Sequence, residues 1–89
     1  MLESRPNTSR LDNLMAALRS YLPQSEYNKL ARKIIHWEPE TILVKMRHEI
    51  NENLQIPKDP NDERCVKIYS YLYNWDDVTT KSNLLSLHH

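Results

Sequence analysis

The sequence predicts an all-α fold, a compact bundle of four to five short helices. Three observations carry this. Apolar residues recur at spacings of three and four along successive segments of the chain. Proline, serine and aspartate separate those segments at positions suited to ending one helix and starting the next. The 89 residues include no glycine, so the pairs that build tight hairpin turns are missing.

Taken in order, residues 1–8 are polar, contain Pro6 and read as a disordered tail. Residues 9–89 read as one helical domain. The first helix is expected from about Arg10 to Leu22, with Ser9 as its N-cap and Asp12 in its first turn. Leu11, Leu14, Met15, Leu18, Tyr21 and Leu22 make its apolar stripe, and Pro23 stops it. Ser25 is placed to cap a second helix, Glu26 to Trp37, with Tyr27, Leu30, Ala31, Ile34 and Ile35 facing the core. Pro39 suits the first position of a third helix reaching Gln55, whose stripe is Ile42, Leu43, Met46, Ile50 and Leu54.

Asp59 as N-cap and Pro60 at the first helical position start a fourth helix that is expected to reach Trp75. Asp76 caps a short fifth helix containing Val78, Leu84, Leu85 and Leu87. Thr79, Thr80, Ser82 and Asn83 are weak helix formers, so the alternative for residues 79–89 is a loosely ordered arm. A rival α+β fold would pair residues 41–45 with 66–75, because Val66 to Trp75 is rich in strand-favouring types.

Composition narrows the function classes. Twelve basic and twelve acidic side chains cancel, which argues against a broad electrostatic footprint for nucleic acid or an anionic membrane. Cys65 is the single cysteine, so no intramolecular disulfide is available. That points to a reducing, intracellular and specifically cytoplasmic setting. The longest apolar run, Leu14 to Leu18, is far short of the roughly 20 residues a membrane span needs, so no membrane insertion is expected. Without glycine, phosphate-cradling loops, the nucleophile elbow and the EF-hand loop cannot take their usual form.

The titratable residues His36, His48, Glu38, Glu40, Glu49 and Cys65 lack the close ligand spacings of zinc sites and any motif for an oxyanion hole. No catalytic residue, metal or cofactor is therefore expected, and the chain reads as non-enzymatic.

The fourth helix holds the most information. Eight of the eleven residues from Cys65 to Trp75 are apolar or aromatic. On a helix, Cys65, Val66, Tyr69, Leu72 and Tyr73 form one face, while Ile68, Tyr71 and Trp75 form another. A helix that is apolar nearly all round is either wrapped by its neighbours or shared with a partner. The favoured expectation is a protein-interaction or regulatory module, with Ile68, Tyr71 and Trp75 meeting another protein or a second copy of the chain. The alternative is a small nucleic-acid-binding regulator using the basic face of the second helix, Lys29, Arg32, Lys33 and His36.

Overall fold

The structure, a computed structural model, describes residues 6–87. It contains five α-helices and, among the described residues, no strand. They are α1 (Pro6–Tyr21), α2 (Gln24–Ile34), α3 (Ile42–His48), α4 (Glu63–Tyr73) and α5 (Asp77–Ser86). The α+β alternative is thereby corrected: residues 41–45 end the 3₁₀ turn at Thr41 and begin α3, and 66–73 are the body of α4. Local strand preference in Val66 to Trp75 yields to burial on several sides, which a helix satisfies without needing a pairing partner.

Of the tail expected over residues 1–8, residues 1–5 lie outside the described residues, and α1 begins at Pro6. The helix of residues 39–55 is one continuous rod of three kinds. A 3₁₀ turn at Pro39–Thr41 leads into α3, and α3 widens into a π-helical segment, Glu49–Asn53. In that segment the Leu54 amide donates to the Glu49 carbonyl at 2.7 Å, and the Ile56 amide reaches the Ile50 carbonyl at 3.0 Å. Gln55 then takes a left-handed φ of 51°, and the rod ends.

The fourth helix starts later than its sequence signal. The Asp59 side chain accepts from the Asn61 amide in a turn of its own, and Asp62 becomes the N-cap, accepting from the Arg64 amide at 2.9 Å. At the other end Asn74 adopts φ 60°, ψ 44°, and the amides of Asn74 and Trp75 both donate to the Ser70 carbonyl. Asn is the residue other than glycine that best tolerates this left-handed cap. Asp76 caps α5 as its sequence position implies, its Oδ1 accepting from the Thr79 amide at 2.7 Å.

The helix α4 is central to the bundle. Cys65, Val66, Ile68, Tyr69, Ser70 and Leu72 are all buried. They pack with Leu14, Leu18, Leu30, Met46, Ile50, Ile56 and Leu84 in a single core. The helices α1 and α4 run antiparallel. Arg10, near the start of α1, bonds the Tyr71 and Leu72 carbonyls at the end of α4, and Arg64, at the start of α4, sits over the ring of Tyr21 at the end of α1. The described chain has a radius of gyration of 13.2 Å, close to the ~12 Å of a compact domain of this length. None of its helices is long and apolar enough to cross a membrane.

Candidate functional site

The structure separates the three residues expected to share a partner-facing side of α4. Ile68 has no exposed surface. It belongs to the core, because neighbouring helices close over the side of α4 that its position occupies. Tyr71 is half-buried, packing on the core with one side and lining a groove with the other. Trp75 lies beyond the helix. The left-handed turn at Asn74 takes it out of helical phase and brings its ring onto Tyr73, at 4.7 Å between centroids and 20° between planes. Tyr71 and Trp75 therefore serve two different places, and Trp75 keeps company with Tyr73 from the opposite expected face.

The groove lies between α1 and α4. It has a volume of ≈ 370 Å³, with Ala16 and Ala17 among its α1 residues and Tyr71 among those of α4. Small side chains on α1 open the space that larger ones would fill. Its charged rim is neutralised within the chain. Arg64 pairs with Asp62 at 3.0 Å, Lys67 with Asp77 at 2.9 Å, and Glu63 with Lys81 at 3.2 Å. The pairs leave their mark on titration. Hydrogen bonds from Arg64 hold the Asp62 carboxyl below the usual carboxylate range, and Lys67 does the same for Asp77.

The second place is a ledge at the end of α4. Tyr69, Tyr73 and Trp75 form a run of near-parallel rings, with Tyr69 and Tyr73 at 6.3 Å and 11°. Trp75 is half-exposed and rests on Tyr73 rather than on the core. The Arg47 guanidinium lies 5.0 Å from the Tyr73 centroid, and Asn51 donates to the Tyr73 hydroxyl at 3.3 Å. Arg10 donates through Nε and Nη2 to the last carbonyls of α4, both at 2.7 Å. Burial first, and the positive charge of nearby Arg47 second, pull the Arg10 pKa below its ordinary value.

Of the expected basic face, Lys29, Arg32 and Lys33 lie on α2 and His36 falls in the turn after it, and part of the charge is spent. Lys33 grips both carboxylate oxygens of Glu49, at 3.1 and 3.2 Å, and Lys29 pairs with Glu26 at 3.6 Å. Glu49 is only 8 % exposed and takes a further hydrogen bond from Asn53 at 2.8 Å. Arg32 and His36 are exposed. Sequence spacing reveals neither the Lys33–Glu49 pair, sixteen residues apart, nor the Arg10 cap on α4, sixty-one residues away. The one available signal was the lone acidic residue on the third segment's apolar stripe, Glu49 beside Ile50.

Cys65 is buried, and burial pushes its thiol pKa up, which disfavours the nucleophilic thiolate. His36 and His48 are both exposed. Among the described residues no group of three or more His, Cys, Asp or Glu side chains is arranged to hold a metal ion. Compared with protein-family models, with curated proteins and with solved structures, the chain matches none.

Proposed function

We propose that the chain is a non-enzymatic protein-interaction module that takes apolar side chains of a partner protein, carried on one face of a helix, into the groove between α1 and α4. The observation that supports this reading is the groove itself: open, floored by alanines, walled by Tyr71 and rimmed by charges already paired within the chain. A rim neutralised in this way makes no demand for a charged ligand, and a tyrosine beside small residues is a common anchor at protein interfaces. A helix supplies one or two apolar side chains per turn, which suits a groove of this volume.

The test compares wild type with Ala16→Trp, which fills the groove from an exposed position, and with Tyr71→Ala. Proteins recovered by the wild type from its native source are expected to be lost, by tenfold or more, from both variants. Ala16→Trp should keep the melting temperature of the isolated chain. Sedimentation over a range of concentrations tells a second copy from another protein as the occupant. Equal recovery by wild type and Ala16→Trp would contradict the groove as the contact.

A further inference from the structure

The ledge at the end of α4 lies outside the groove and calls for a different ligand. We infer that Trp75, Tyr73, Arg47 and Arg10 form a binding site for single-stranded nucleic acid, with a base stacked on the outer face of Trp75 and its phosphodiester held by the two guanidiniums. The inference does not rest on the groove.

Trp75 is a large aromatic ring that stays half-exposed, with Tyr73 on one side and no place in the core. Tyr73 backs its indole on one side, and the part of the ring left exposed offers a π surface. Such a surface accepts any base, whatever the sequence. The charges around it fit the same ligand. The ion pairs among the described residues engage Lys29, Lys33, Arg64, Lys67 and Lys81, but neither Arg10 nor Arg47.

Those two arginines are spent on carbonyls and on a ring, which leaves their positive charge uncancelled at the ledge. Of the two carboxylates that follow Trp75, Asp77 pairs with Lys67 and takes Ser70, while Asp76 caps α5 and keeps one negative charge against the two positive ones. Neither arginine offers a whole fork to one phosphate, since Arg10 has committed Nε and Nη2 and Arg47 lies along Tyr73. Two part-engaged guanidiniums suit a singly charged diester better than the dianion of a phosphorylated side chain.

One phosphate held from two sides and one stacked base make a weak site with a shallow salt dependence. The experiment is fluorescence polarisation of a dye-labelled oligothymidylate of about eight nucleotides against the full chain, within the site sizes known for such surfaces. Micromolar binding is expected at low salt, falling about 2.6-fold between roughly 50 and 200 mM. Trp75→Leu should weaken it about tenfold, and a duplex of the same length, whose bases are already stacked, should bind less well. Arg47→Glu, at an exposed position, should weaken it as well, and it keeps the test valid should Trp75→Leu disturb the fold. Lys29→Glu on α2 and Ala16→Trp in the groove should leave it unchanged. Absence of binding at low salt, binding indifferent to both Trp75→Leu and Arg47→Glu, or preference for a phosphotyrosine peptide over the oligonucleotide would overturn the inference.

Discussion

The Tyr69 hydroxyl donates to the Ile56 carbonyl at 2.6 Å, from a side chain with no exposed surface. Burial first, and the neighbouring Tyr73, Cys65 and Tyr21 after it, push the Tyr69 pKa far above that of a free phenol, so the ring stays neutral and the proton stays in the bond. Removing the hydroxyl strands a carbonyl in a dry site. Tyr69→Phe is therefore expected to lower stability by about 1–3 kcal/mol in urea denaturation. Tyr73→Phe should cost less, because Tyr73 is half-exposed and water can take the hydroxyl's place as acceptor for Asn51. Equal losses would mean that the Tyr69 bond is not buried as described. Gln55 offers the opposite sign. Its left-handed φ of 51° suits glycine, of which the chain has none. Gln55→Gly should raise stability by about 0.5–1 kcal/mol, the relief of a β-carbon clash less the entropy glycine adds to the unfolded chain.

Single residues differ in how far sequence announces them. Cys65 as a small buried apolar group and Asp76 as a cap both follow from chemistry within a few residues. The Lys33–Glu49 pair and the Arg10 cap depend on how distant segments meet, and no local pattern encodes that.

At the scale of elements, α5 is held mainly by polar contacts at its start. Thr80 is fully buried, its hydroxyl 2.7 Å from that of Ser70, and Asp77 reaches both Lys67 and Ser70. Leu84 adds the apolar contact, while Val78, Leu85 and Leu87 remain exposed. The Asp76 carboxyl is held below its ordinary range by the Thr79 amide, and that of Asp77 by Lys67. Depressed folded-state values mean that these carboxylates contribute stability above the unfolded pKa of about 3.9, and that the contribution disappears as pH falls through the folded values. Acidification below about pH 4 should therefore loosen α5 first. Amide exchange in residues 77–86 should speed up ahead of that in α4, and Asp76→Asn with Asp77→Asn should flatten this dependence. Uniform loss of protection over both helices would contradict the polar attachment.

Element boundaries explain where periodicity misleads. The stripes of α1 and of the third rod emerge as read, with Leu14, Leu18, Met46 and Ile50 wholly buried. Ile35 belongs to the expected α2 stripe yet is 77 % exposed: as the C-cap it keeps a right-handed backbone, but it lies past the last turn, where no neighbour covers it. Trp75 fails for a different reason: it lies one residue past the left-handed Asn74, which takes it out of helical phase. Helical phase holds inside an element and fails beyond a left-handed cap.

At the scale of the whole molecule, an apolar-all-round α4 explains how a short chain without disulfides closes a core. One helix is shared by the others, and its outward parts are left for other uses. Tyr71 opens on the groove and Trp75 on the ledge, while Ile68 sits inside. Zero net charge is distributed unevenly, with ion pairs along the groove rim and two arginines uncancelled at the ledge. The all-α class and the importance of α4 are legible in its composition and spacing. The division of α4 into core, groove and ledge is not, because it depends on which neighbours cover which side.

That division is the central claim, and paired urea-denaturation curves of Ile68→Ala and Trp75→Ala test it most directly. Ile68→Ala is expected to cost about 2–5 kcal/mol, enough to leave a domain of this size largely unfolded. Trp75→Ala, which removes a ring laid on the surface, should cost no more than about 1.5 kcal/mol, near the value of a single aromatic pair. The reverse order, with Trp75→Ala unfolding the chain and Ile68→Ala tolerated, would contradict it.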